Sequence, residues 1–527
     1  MLINADDILI LLLNQLKATS PQFRNEVREE LPVSKYDVVI VGAGNAALSA
    51  AMAARENGAR VLILEKANED EKGGNSYFTA GGFRFCHSGI DDAATDVLTD
   101  LSDAECEQIV LPAHDRNIFY DNLMKVTHHQ ADEDMAWQLI DGSRPAMAWL
   151  QGHGVRFIPM FGRQSFLIDG KHHFYGGVNV EAVGGGAGLI EMELAEISRM
   201  GCEIRYGTGA TRLIQDKKCH IIGLEVRDEN GYDEIETKAV VLACGGFESN
   251  PEMRVRYLGA GWDLCRVRGT PHNMGDGIRM AIDIGARPFG NWSGCHSVGW
   301  DISAPPYGDR VVLDNFQKHS YPWGIMVNLK GERFVDEGED VRNHTYVKFG
   351  REIMNQPHRT AIQIFDQKTI PLLRDEYRIK QVTKYSADTI EELAAQLEIS
   401  SQALKATIDE FNDACRSGAF NPAILDGVTT EGLAINKTNW ALPIDEPPFE
   451  AYVTTTGISF TFGGLKINEK GEVQDLSDRS IPGLYAAGEL VGGLFVENYP
   501  GGSGLMAGAV FGKLAGESAA GYAAPNT

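Results

Sequence analysis

Hydrophobic and polar positions change their period sharply from Tyr36 onward. The run YDVVIV is short and apolar on every position, as in a strand buried on both faces of a parallel sheet. GAGNAA follows, and then LSAAMAARENG, an Ala-rich stretch at helical spacing that ends at Gly58. ARVLILEK is a second all-apolar run. Strand, glycine turn, helix and strand thus succeed one another within about thirty residues. Further along, IIGLEVRDENGYDEIETKAVVLACGG predicts a hairpin turning at Asn230-Gly231. Residues 385–415 carry helical spacing, Asn421 to Glu450 is loop-rich, and the chain closes with two short strands and a glycine-rich helix start.

At 527 residues the chain exceeds what one core usually supports, which predicts two domains. A net charge of −25 argues against nucleic acid or anionic membrane as partners, because both need clustered Lys and Arg. The eight cysteines form no CxxC and no Cys/His set at zinc spacing, so no metal is expected and a reduced, cytoplasmic protein is. The apolar run Ile8 to Leu13 is too short to span a bilayer and lacks a basic segment before it, so no integral membrane segment is expected. Residues 1–35 read as an accessory helix and linker.

Gly42, Gly44 and Ala47 form GxGxxA between the first strand and its helix. The first glycine permits the tight turn, the second admits a pyrophosphate to the backbone, and the small third residue lets helix and sheet pack closely. Ala43, Asn45 and Ala46 complete the turn, whose helix aims unpaired N–H groups at phosphate. Glu65, followed by Lys66, ends the second strand about twenty residues on, where an acid takes ribose hydroxyls.

Three further segments, GGNSYFTAGG (Gly73–Gly82), AVVLACGGF (Ala239–Phe247) and IPGLYAAGELVGG (Ile481–Gly493), follow in this order. With them the chain from Tyr36 resembles the fumarate reductase and succinate dehydrogenase flavoprotein superfamily. The resemblance implies an α/β fold: a Rossmann-type FAD-binding domain (36–290 and 462–527) with an inserted α+β capping domain (291–461). It implies FAD, held by the GxGxxA turn with Glu65 and Lys66, by Gly73, Gly74, Asn75, Ser76, Thr79, Ala80, Gly81 and Gly82, and by Ala210 on the adenine side. Ala243, Cys244, Gly245 and Asp276 (in HNMGDG) belong to the same set, with Gly488 and Glu489 at the ribityl chain and Ser503, Gly504 and Leu505 opening a helix under the flavin. Relatives with covalent FAD carry a histidine where this chain has Ser76 and Tyr77, so FAD is expected to be non-covalent.

The same resemblance implies hydride transfer between a substrate carbon and flavin N5. In GERFVDEGEDVRNHTY, Arg342 matches the proton-transferring arginine of soluble fumarate reductases, with one extra residue before it. Arginine is a poor proton donor in water, so a carboxylate clamp is the competing role. His296, in NWSGCHSVGWD, matches a substrate-carboxylate histidine, and Arg266 or Arg268 is expected to face the substrate. Asn343, Tyr346, Phe460 and Ser503 complete the expected substrate contacts.

Two departures stand out. Phe460 replaces a histidine before the TxGG turn, and Tyr499 replaces an arginine before the last glycine pair. A tyrosine before Pro-Gly is similar to ketosteroid dehydrogenases, where a phenol and a backbone N–H polarise a ketone. The whole set of segments most resembles the tricarballylate dehydrogenase branch. It implies dehydrogenation, or reduction, of a bond alpha,beta to a carboxylate, with His296, Arg268 and Arg342 on carboxylates and Tyr499 polarising the one beside the reacting carbon. The substrate is then a small carboxylate or ketone, and the electrons leave to a quinone, a redox protein or oxygen. Two rival readings are a 3-ketosteroid-type dehydrogenase and a non-catalytic flavin-binding redox sensor.

Overall fold

The computed structural model describes residues 35–524. The reading of residues 1–35 as helix and linker falls, but for Lys35, outside the described residues. The apolar runs Val38–Val41 and Val61–Leu64 pair in parallel, every residue of both buried. They lie inside a six-stranded sheet in the order Glu472–Gln474, Ser480–Ala486, Ala239–Leu242, Val38–Val41, Val61–Leu64, Glu203–Arg205. All neighbours are parallel except the first pair. Two central strands buried on both faces account for the unbroken hydrophobic runs.

The Ala-rich helix Asn45–Glu56 packs on the C-terminal helix Ser503–Ala523 through small residues. A Cβ at Gly512 would come within 2.4 Å of Ala46 O, and one at Gly516 within 2.1 Å of Ala50 O. The N-terminal ends of both helices thereby meet at one place, where Asn45 Nδ2 donates to Leu505 O at 2.8 Å.

The hairpin forms between Ile221–Asp228 and Gly231–Glu236, but its turn is Glu229-Asn230, one residue earlier than the spacing predicted. Asp228 pairs directly with Gly231, whose φ of +121° begins the return strand. The run Ala239–Leu242 leaves this hairpin for the parallel sheet.

A second sheet is built on two long antiparallel strands, Pro288–Asp301 and Phe449–Leu465. The expected domain limits, 290/291 and 461/462, lie inside these strands. The strands therefore run unbroken from beside the nucleotide sheet into the part expected to cap it. Ala361–Phe365 and Ile325–Asn328 extend this sheet, and Ile390–Gln396 and Ser401–Ala414 supply the helices read between 385 and 415.

Glu193, on the helix Gly185–Arg199, is fully buried beside Ser49, and neither oxygen has a hydrogen-bond partner. Burial pushes its carboxyl well above the usual range. A folded-state pKa above the unfolded one gives stability that is present at low pH and lost as pH rises through the folded value. Glu193→Gln is expected to raise the holoenzyme's Tm at pH 8 and to have less effect near pH 5. Equal shifts at both pH values, in thermal melts followed by circular dichroism, would show that Glu193 is ionised in the fold.

Candidate active site

The glycine turn is held open by its own backbone. Gly42 has φ +110°, and a Cβ there would lie 2.5 Å from Ala243 O, just past the end of the neighbouring strand. Asn45 N donates to Ser76 Oγ at 3.2 Å, while Asn45 Oδ1 is buried without a partner. Glu65 stands at the end of its strand, buried, accepting from Ala43 N at 2.9 Å and Ala67 N at 2.8 Å.

A groove runs from here in both directions. Toward one end it is walled by Gly42, Ala43, Gly44, Glu65, Lys66 and Gly74, and by Ala210, Ala243, Cys244, Gly245 and Asp276. Lys66 Nζ reaches Asp276 Oδ2 at 2.8 Å across it. Toward the other end Asn45, Ala46, Asn75, Ser76 and Glu489 lead into a second cavity, lined also by Thr79, Ala80, Gly82, Gly488, Gly504 and Leu505. Ala47, Gly73, Gly81 and Ser503 do not line either part. Ala47 and Ser503 are fully buried behind the wall, Gly73 packs on Ile190, and Gly81 packs on Gly185. Ser503 Oγ is a buried group with no partner.

Sequence reasoning passed over Glu248, which sits directly behind the Gly245-Gly246 turn. It accepts from Asn75 Nδ2 and Asn273 Nδ2, each at 2.6 Å, and meets Glu489. Burial, then the neighbouring Glu489, hold Glu248 well above the carboxylate range. A protonated Glu248 donates to Glu489, whose Oε1 also accepts from Thr461 N at 2.8 Å. The only local signal was a carboxylate following a Gly-Gly strand end.

All the expected substrate contacts except Ser503 face the second cavity: Arg342, Tyr499, His296, Arg268, Asn343, Tyr346 and Phe460. His296 Nε2 is 3.0 Å from Tyr346 Oη, and its ring stacks on Phe460 at 5.1 Å between centroids. The pairing of Pro288–Asp301 with Phe449–Leu465 sets His296 opposite Phe460. Burial, then Arg268, keep His296 well below the usual imidazole range, so it is neutral. Tyr499 stands edge-on to His296 at 4.9 Å, and its Oη accepts from Gly502 N at 3.1 Å. Burial first, then Tyr499, push the Tyr346 phenol well up.

Arg342 begins the helix Arg342–Met354 and is buried, with Nη2 donating to Arg163 O at 3.1 Å and Nε unpartnered. Arg268 Nη1 donates to Ser459 Oγ at 3.1 Å. Arg266 instead donates to Ile302 O, away from the cavity, which leaves Arg268 as the one of the pair that faces it. Asn343 is spent on structure, bridging Gly176 O at 3.0 Å and Gln164 Oε1 at 3.2 Å. Phe460 and Phe462, with Phe495 and Leu494, form an apolar wall. Arg163, His319 and Arg374 face the same cavity and were not foreseen, since they come from short turns with no repeating pattern.

The groove's features match FAD: a glycine turn facing helix N-termini, a buried acid where a ribose would lie, and buried polar atoms without partners along the wall. A family model described as "FAD binding domain" matches residues 37–505. The chain belongs to this family. This member of the fumarate reductase and succinate dehydrogenase flavoprotein superfamily is an FAD-dependent oxidoreductase. It is 27% identical over 504 residues to a probable fumarate reductase, Ifc3, of Shewanella frigidimarina, covering 93% of this chain and 76% of the relative. It is 29% identical over 511 residues to an NADH:fumarate oxidoreductase of Klebsiella pneumoniae, covering 96% of this chain but only 50% of that longer protein. Among solved structures, a 3-ketosteroid delta1-dehydrogenase from Sterolibacterium denitrificans shares the fold, with a TM-score of 0.69 at 21% identity over 93% of this chain and 100% of the other. Among the described residues of this flavoprotein, no helix is long and apolar enough to cross a membrane, and no group of His, Cys, Asp and Glu could hold a metal ion.

Proposed function

We propose that this chain dehydrogenates, or in reverse reduces, a carbon–carbon bond alpha,beta to a carboxylate, with a tricarballylate-like polycarboxylate as substrate. The observation that carries this reading is the convergence of Arg268, Arg342, neutral His296 and the Tyr346–Tyr499 pair in one buried cavity beside the groove. FAD, when bound without a covalent link, supplies the hydride acceptor or donor. Arg268 and Arg342 bind carboxylate oxygens; buried guanidinium groups hold such anions strongly and in fixed orientation. The Tyr499 phenol, placed by Gly502 N, polarises the carboxylate next to the reacting carbon. Arg342 is the group at which the proton moves, in the cavity walled by Phe460, Phe462 and Phe495. The residues 291–461 act as the cap that closes this site. Electrons pass on to a quinone or a redox protein, and the enzyme works in the cytoplasm, consistent with eight free cysteines.

Tyr499→Phe keeps the ring packing and removes the hydroxyl. Flavin reduction by substrate in stopped flow is expected to slow by about 10²-fold or more, with FAD content unchanged. An unchanged rate would reduce Tyr499 to a packing role.

The apolar wall favours a second reading, a 3-ketosteroid-type dehydrogenase, in which Tyr499 and a backbone N–H face a ketone. The four arginines of the cavity weigh against it, because a neutral ketone brings no negative charge to guanidinium groups that share only two carboxylates. Reduction of the flavin by a 3-ketosteroid but by no carboxylate would decide for this reading.

A further inference from the structure

Four guanidinium groups, Arg163, Arg268, Arg342 and Arg374, face the cavity, and the carboxylates around them are too few. Asp314 takes Arg163, with Nη2 to Oδ1 at 3.0 Å, and lies 3.5 Å from Arg268 Nη2. Glu376 Oε1 lies 3.0 Å from Arg374 Nε. Glu181 is also near Arg163, but burial holds its carboxyl up at about 7. Lys318 and Asp301 answer each other at 3.6 Å. Two dependable carboxylates, Asp314 and Glu376, therefore serve four arginines.

The deficit is concentrated at one place. Arg374 meets Glu376 only through Nε and its Nη1 has no hydrogen-bond acceptor; Nε of Arg342 has none either, and both ring nitrogens of His319 are without partners. These residues are only 8%, 8% and 3% exposed. Burial, then the positive charge of Arg342, bring Arg374 down to about 10. A buried cation without its anion is costly, and an oxyanion that completes the hydrogen bonds removes that cost. Arg163, His319, Arg342 and Arg374 also face an outer recess bounded by Phe166 and Trp323, so they form the wall between that recess and the cavity.

We infer that Arg374 and His319, steadied by the Arg163–Asp314 pair, form a subsite for a further anionic group of the substrate, beyond the carboxylates that flank the bond that reacts. The inference rests on the carboxylate reading above and narrows it. The substrate carries a carboxylate beyond those that flank the reacting bond, and simple four-carbon diacids lack the group this subsite receives.

The test uses the FAD-loaded enzyme and its Arg374→Met and Arg374→Lys variants. Affinities for tricarballylate and succinate are read from the perturbation of flavin absorbance, and inorganic sulfate is titrated by calorimetry. Arg374→Met is expected to weaken tricarballylate by at least about tenfold more than succinate, the loss of a charge-assisted hydrogen bond. Arg374→Lys is expected to recover part of that difference. Sulfate is expected to bind the parent enzyme at one more site, or at least about tenfold more tightly, than Arg374→Met. Equal weakening of both acids, or sulfate binding alike to parent and variant or to neither, would overturn the subsite. If Arg374→Met fails to retain FAD, the comparison passes to His319→Phe with the same outcomes. If no carboxylate exchanges electrons with the flavin, the dehydrogenase reading falls, and the sulfate titration alone judges the subsite.

Discussion

Arg342→Ala is expected to leave FAD bound and to cut the rate of substrate-dependent flavin reduction by about 10²- to 10⁴-fold, the range for a lost proton-transfer group. FAD should remain because Arg342 does not line the glycine-turn end of the groove. The helix it begins should also survive, since alanine at its first turn favours helix. Arg342→Lys keeps the charge but loses the planar fork, so it too is expected to be impaired. The kinetic form separates the two roles open to this residue. A fall in kcat marks the proton step, whereas a rise in KM at constant kcat marks a clamp only. Near-wild-type turnover in Arg342→Ala would remove the residue from the mechanism.

Gly42→Ala is expected to yield a protein depleted of FAD. The residue has φ +110°, and an added Cβ would meet Ala243 O at 2.5 Å and Cys244 Cα at 2.9 Å, all backbone at the heart of the groove. Strain of about 1–3 kcal/mol at this one position corresponds to roughly 5- to 150-fold weaker FAD binding, before any displacement of the wall is added. Gly58→Ala is the matched control. Its φ is +82°, but its Cβ would meet nothing within 4 Å, and it lies outside the groove. The ratio of flavin to protein absorbance after purification, and FAD titration into apoprotein, should fall for Gly42→Ala and hold for Gly58→Ala. Full flavin content in Gly42→Ala would show that the groove is not the FAD site.

Much of the nucleotide half was legible because its signals are local. A buried parallel strand is a run of four apolar residues, the turn needs small residues at fixed offsets, and the acid follows within the same strand–helix–strand unit. The hairpin was legible in kind but not in register: Gly231, with its positive φ, opens a strand, and the turn falls on Glu229-Asn230. The limits drawn at 290/291 and 461/462 cross two strands of 14 and 17 residues, whose length no short-range pattern reveals.

In the cavity, the legible residues were those carried on long elements with family-like segments: His296 and Phe460 on paired strands, Arg342 and Tyr346 on one helix, and Tyr499 ahead of the C-terminal helix. Arg163 lies in a four-residue helix, Arg374 follows a three-residue one, and His319 sits in a connecting turn. Such positions become neighbours only through tertiary folding. Glu248 escaped notice for a related reason: its partner Glu489 is 241 residues away in the chain, and only the pairing of Ala239–Leu242 with Ser480–Ala486 brings the two carboxyl groups together.

The central claim is that the cavity acts on a bond beside a carboxylate. Its most direct test is anaerobic flavin absorbance of the purified holoenzyme offered tricarballylate, succinate and a 3-ketosteroid in separate cuvettes, with the dithionite-reduced enzyme offered the corresponding unsaturated acids. Tricarballylate is expected to bleach the flavin, or its unsaturated counterpart to reoxidise it, and the steroid is expected to give no response. Bleaching by the steroid alone, or no response to any of the acids in either direction, would contradict it.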